Sequence, residues 1–163
     1  MSNKLICSLI RCAVIVMALC GLLICGFWYP FSISLTAVGI VGTVTSQAQL
    51  VELWAQLLFY LFTSVPIFVI LILFWTISTL IRDDRAFTLE TAKRLKACAM
   101  ILGIDLAVFF MGNLVFCFLG WNSFALIYFF AAAVGVFVTI VIAILAQYTR
   151  KAATLREENE SYI

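Results

Sequence analysis

Four apolar stretches, each near or above the length a helix needs to cross a bilayer, leave this chain little choice of fold. They run from about 5 to 28, 51 to 81, 97 to 119 and 124 to 147. A helix rises about 1.5 Å per residue, so roughly 20 apolar residues span a hydrocarbon core of about 30 Å. What remains is too short for a separate water-soluble core. Of 163 residues, 66% are hydrophobic and 11% charged. Soluble domains carry about 45–50% and about 25%, so no soluble fold hides this much apolar surface. The expectation is an all-α integral membrane protein: one domain over 1–163, folded as a four-transmembrane-helix bundle.

Charge placement orients it. The polar segment Arg82–Cys98, RDDRAFTLETAKRLKAC, carries Arg82, Arg85, Lys93, Arg94 and Lys96, half of the ten Lys and Arg residues. With four spans, the N-terminus, the 82–96 loop and the 148–163 tail share one side, and all ten basic residues fall there. The opposite side, with the 29–50 loop, holds a single charge, Glu52. The positive-inside rule then puts both termini and the 82–96 loop in the cytoplasm, with 29–50 outside a plasma membrane.

Lys4 and Arg11 beside the first apolar run imitate a signal peptide, but no small-x-small cleavage site follows. The run is expected to stay as a span, anchored by Trp28 and Tyr29 and ended by Pro30. Alternating Ser32, Ser34 and Thr36 suggest a short surface strand or hairpin within 31–49, interrupted by Gly39 and Gly42. Ser46 with Gln49 has capping-box spacing, which starts the second span near Gln47. Pro66 removes a backbone donor and crowds the carbonyl of Phe62, so a kink is expected there. In the central loop, Thr88 is the N-cap of a helix with Glu90 in its first turn, and Glu90–Arg94 is an i,i+4 ion pair. Leu89, Ala92, Leu95 and Ala99 form a narrow apolar stripe, and this helix should run unbroken into the third span. Asn122 and Ser123 mark the turn into the fourth.

Asp105 is the sharpest single residue, roughly 12 Å inside the third span at 1.5 Å per residue. A carboxylate there costs about 2.5–3.5 kcal/mol on insertion scales and marks a functional hypothesis. Its helical neighbours are Phe109, Gly112 and Phe116, with Asn113 slightly off that line; Asn113, Thr139 and Tyr128 are its candidate hydrogen-bond partners. Enzyme signatures are missing: no histidine, no phosphate loop and no Cys-x-x-Cys pair among six cysteines. Neither a catalytic residue nor a metal site nor a cofactor is expected. The basic loop can meet anionic headgroups. Its interleaved Asp83, Asp84 and Glu90 argue against direct nucleic-acid binding. Small residues on the first and fourth spans (Ala18, Gly21, Cys25; Ala131, Ala132, Ala133, Gly135) let helices approach closely, within one chain or between copies in a homo-oligomer.

Two patches carry a family likeness. AFTLETAKRLKACA in the central loop is similar to a Pro-Phe, Glu-Asn, Arg-Leu-Arg pattern, and LREENESYI to an acidic tail ending Asp-Leu-Thr-Ile. Phe87, Glu90, Arg94, Leu95, Lys96, Glu157, Glu158, Asn159 and Ile163 match; Ala86, Thr91 and Ser161–Tyr162 depart. On these the chain resembles a family of small bacterial four-span membrane proteins, the domain of unknown function twenty-nine seventy-five. The resemblance implies a membrane partner for a cytosolic helix-turn-helix regulator, docked on the two cytoplasmic patches: Arg85, Phe87, Glu90, Arg94, Leu95 and Lys96 with Glu157, Glu158 and Asn159. The expectation is thus a non-enzymatic regulatory or sensory protein. The alternative is a small transporter subunit, or an immunity protein against a membrane-active peptide, working through Asp105.

Overall fold

In hydrocarbon every backbone N–H and C=O must find its partner within the chain, and long apolar runs satisfy this as helices. The computed structural model describes residues 3–23, 26, 47–83, 85–121 and 125–161. They form α1 (Asn3–Leu23), α2 (Gln47–Arg82), α3 (Leu89–Phe118) and α4 (Ala125–Ser161). All four are long and apolar enough to cross a membrane, which makes this a multi-pass membrane protein. Their surfaces agree: Leu126 is 86% exposed, Phe130 73% and Phe137 69%, faces that suit acyl chains and not water. The expected strand or hairpin lies outside the described residues except for 47–49, which already belong to α2; the Ser46 cap, the anchors Trp28, Tyr29 and Pro30, and the Asn122–Ser123 turn also lie outside them.

Each helix packs on the next in the chain, α1 on α2, α2 on α3 and most extensively α3 on α4. Specific contacts show each pair to be antiparallel. Cys7 Sγ meets Ser78 Oγ at 3.1 Å, while Gly21, farther along α1, faces the Phe68 ring, earlier on α2. Gly103 faces Thr139, and Gly135 faces Leu106. Toward the Leu89 end of α3 the core is Ile70, Ile77, Cys98, Ala99 and Ile142. Small residues such as Gly21, Gly103, Gly135, Cys98 and Ala99 lie at these contacts; they let helices approach closely, which matters because apolar attraction gives helices in lipid no preference for one another.

Helix α2 runs on through Pro66. In the turn before it, Thr63 Oγ1 donates to the Tyr60 carbonyl at 3.2 Å and Ser64 Oγ to the Leu61 carbonyl at 2.7 Å. These are the back-bonds usual for Ser and Thr inside a helix, one and two residues short of the Phe62 carbonyl that loses its donor at Pro66. Thr88 caps α3 with extended φ −123° and ψ 158°, its side chain accepting from the Thr91 amide. Both Thr88 and Thr91 hydroxyls donate to the Arg85 carbonyl, at 3.1 and 3.0 Å. At the other end Gly120, at φ 74°, stops the helix. Its amide bonds the Cys117 carbonyl and the Trp121 amide bonds the Phe116 carbonyl, the paired bonds of a Schellman stop.

The fourth helix differs from expectation at its C-terminal end. It continues beyond Gln147 to Ser161, so most of the expected tail is helical. The segment AATLREENE has no glycine or proline and is rich in helix formers. Thr149 and Ala153 are buried, so part of the extension still packs.

Candidate functional site

Around the Tyr60–Leu71 stretch of α2, all four helices line a cavity of about 360 Å³. Small side chains make the room: Gly21 from α1 and Ala131, Ala132 and Gly135 from α4. The walls are apolar except for four groups, Tyr60, Thr63 and Ser64 on α2 and Asp105 on α3. The two hydroxyls already donate to backbone carbonyls. Among the described residues the Asp105 carboxylate has no hydrogen-bond or ion-pair partner. Asn113, Thr139 and Tyr128, the partners expected for it, are engaged elsewhere. Asn113 Oδ1 accepts from Tyr60 OH at 3.0 Å and its Nδ2 donates to the Phe109 carbonyl at 2.8 Å. Thr139 Oγ1 donates to the Gly135 carbonyl at 2.8 Å. Tyr128 stacks on Tyr60 with centroids 5.3 Å apart.

The two intramembrane polar candidates therefore separate. Asn113, 1% exposed, sits in an aromatic layer on the Trp121 side of the cavity. There Phe59 meets Phe116 edge-on at 5.2 Å and Phe109 meets Tyr128 at 6.2 Å. Phe116 in turn stacks on Trp121 at 6.1 Å, and the Trp121 carbonyl accepts from Gln56 Nε2. Tyr60 and Phe109 join this layer to the cavity wall, and Asn113 is spent within the layer. Asp105 is left as an acceptor when ionised, or a donor when protonated, facing the empty space. A cavity of this size, apolar with one charged group, suits a small amphiphile whose polar end is a cation or a hydrogen-bond donor. Tyr60, Thr63 and Ser64 are absent from the sequence-derived candidates, although their spacing, continued by Ile67, is that of one helix face.

The charged candidates lie at the opposite end of α3. Glu90 accepts from Arg94 at 2.6 Å and from Arg85 at 3.4 Å, so one acid serves both arginines. Phe87 is 60% exposed on the turn before the cap. Lys96 is exposed, and Leu95 packs against the buried core. Glu157, Glu158 and Asn159 are exposed along the last turns of α4. The acid that neutralises Arg85 and Arg94 is thus a neighbour in the loop segment and not the acidic end of α4. Cys7 and Cys98 are buried, and Cys12, Cys20 and Cys117 lie exposed on helices. Among the described residues no three His, Cys, Asp or Glu side chains come together to hold a metal ion.

No curated protein and no solved structure matches the chain. A family model does: the one described as Protein of unknown function (DUF2975) matches residues 5–163, in line with the likeness read from the central loop and the acidic end. With four apolar helices and a match over nearly its full length, the chain belongs to that family.

Proposed function

We propose that the protein is a non-enzymatic sensory or regulatory component of the plasma membrane, with both termini and the Arg85 loop in the cytoplasm. One observation carries the reading: an unpartnered carboxylate, Asp105, faces a cavity that all four helices line. Binding there bears directly on α3 and α4, which touch at Gly135 and Leu106 beside the cavity. Both helices then run without a break to their charged ends, α3 back to the Thr88 cap and α4 on to Ser161. A shift of one against the other at the cavity reaches Arg85, Glu90 and Arg94 on one side and Glu157–Asn159 on the other. These ends are the output, and the family likeness supplies a cytosolic helix-turn-helix regulator as the partner.

The test is mass spectrometry of what co-purifies with the tagged protein after gentle solubilisation from its native membrane. A stoichiometric helix-turn-helix regulator is expected, lost when the residues after Leu155 are removed and lost again with Arg94→Glu combined with Lys96→Glu. A preparation with no regulator removes the docking role.

The same carboxylate favours a second reading, a small transporter subunit or an immunity protein against a membrane-active peptide. There Asp105→Asn abolishes transport or protection, while charge changes at Arg94 and Lys96 leave it intact.

A further inference from the structure

A second concave feature lies outside the cavity, between α3 and α4 toward the Leu89 end. It is a groove of about 710 Å³. Its floor is made of alanines, Ala92, Ala99, Ala143 and Ala146, whose short side chains leave a trough between the two helices. Three cations stand along it, Lys93 and Lys96 from α3 and Arg150 from α4. None of the three has an ion pair with a described residue. Their neighbours in the same region differ: Arg82 pairs with Asp83, and Arg85 and Arg94 both pair with Glu90. Asp83 and Glu90 are thus engaged outside the groove, and among the described residues no acid pairs with the charge inside it.

The groove is also polarised along its length. From Leu89 to Met100, and antiparallel from Arg150 to Thr139, it runs eleven residues, roughly 16 Å at 1.5 Å per residue. By the expected span limits at 97 and 147, the part from 97 to 100 and from 139 to 147 lies within hydrocarbon, with Lys93, Lys96 and Arg150 at its edge. Lys93 and Arg150 lie toward the Leu89 end and Lys96 nearer the middle, and beyond them come Ala99, Met100, Ala143 and Thr139. The Thr139 hydroxyl is already bonded to its own helix, so this deeper half asks for no polar partner.

We infer that the α3–α4 groove binds one anionic glycerophospholipid of the leaflet at the Leu89 end, its phosphate among Lys93, Lys96 and Arg150 and an acyl chain along the alanine trough. Charge complementarity selects the headgroup, because a cluster of unpaired cations between membrane helices favours anionic lipid. The apolar half selects a lipid over a free anion, which leaves the trough unfilled. A helix from a protein partner needs its acids at one end and an apolar face beyond them; the bilayer supplies that pattern in every anionic lipid molecule. The inference is independent of what enters the Asp105 cavity.

Native mass spectrometry of the purified full-length protein tests it, with dioleoyl phosphatidylglycerol, dioleoyl phosphatidylcholine, glycerol 3-phosphate and inorganic phosphate as probes. One phosphatidylglycerol is expected to stay bound after detergent removal, in clear preference to phosphatidylcholine, and neither soluble phosphate should displace it. Combining Lys93→Gln, Lys96→Gln and Arg150→Gln should weaken that adduct by about tenfold or more, given the contribution of each cation near the surface. Lys151→Gln, outside the groove, should leave it unchanged, and a melting temperature equal to the parent's keeps misfolding out of the comparison. Equal retention of the two lipids, an adduct indifferent to the triple substitution, or displacement by inorganic phosphate overturns the proposal. So does a lipid-free dimer whose formation depends on the same three cations, since the occupant is then a second copy.

Discussion

Asn113 and Asp105 stand about two turns apart on one helix and meet opposite fates. The amide is spent within the protein, accepting from Tyr60 and donating to the Phe109 carbonyl, whereas the carboxylate faces the cavity. Asn113→Leu therefore leaves the Tyr60 hydroxyl short of an acceptor and should cost about 1 kcal/mol, the usual range for such bonds between membrane helices. Tyr60→Phe should cost a similar amount. Because the two act on one bond, the pair together should cost less than their sum, read as thermal unfolding in a mild detergent. Asp105→Asn should leave the melting temperature close to the parent's, since no described residue loses a partner. From the sequence both residues read as polar groups in an apolar helix. Which of them was free depended on where α2 placed Tyr60, 53 positions away.

The contacts between α2, α3 and α4 rest on three glycines of α3 and α4 that are not interchangeable. A Cβ at Gly112 would overlap the Phe59 ring, and one at Gly135 would stand 2.7 Å from Leu106 Cδ1. At Gly103 the nearest atom is the Thr139 methyl at 3.7 Å, an ordinary contact. The Phe59 ring has little freedom to swing away, held by Tyr60, Phe109 and Phe116. Gly112→Ala is thus expected to destabilise by about 1–3 kcal/mol, the range for overpacking, and Phe59→Leu should restore much of that loss. Gly103→Ala should be neutral or slightly stabilising. Thermal unfolding of the three variants checks the order. The ends of α3 were unequally legible. The Thr88 cap and the Glu90–Arg94 pair follow from residues adjacent in sequence. Gly120 carries the stop at the other end through its positive φ, a signal present in the sequence as a glycine just after an apolar run.

The proposed membrane orientation rests on the charge asymmetry of the entire chain. If all ten basic residues mark the cytoplasmic side, a fluorescent protein fused after Ile163 should mature and glow. Alkaline phosphatase, active only outside, should work when inserted after Gly120 and fail after Ala86. The reverse pattern would invert the sidedness of both the Arg85 loop and the α4 extension. That extension is itself a consequence of composition and packing together. Its helix formers permit a helix to Ser161, and the burial of Ala153 holds part of it against its surroundings.

Hydrophobic length is a local, additive property, and it was enough to establish four helices; two short patches, in the central loop and at the acidic end, carried the likeness to the family whose model matches residues 5–163. The cavity and the groove are not local. Each exists because small residues on one helix come opposite particular residues on another, and because ion pairs leave some charges engaged and others free. Tyr60, Thr63 and Ser64 become a polar wall only when Asp105 faces them, and Lys93, Lys96 and Arg150 become one cluster only when α3 and α4 run antiparallel. Helix register, a matter of a few ångströms in packing, decided what the one-dimensional pattern left open.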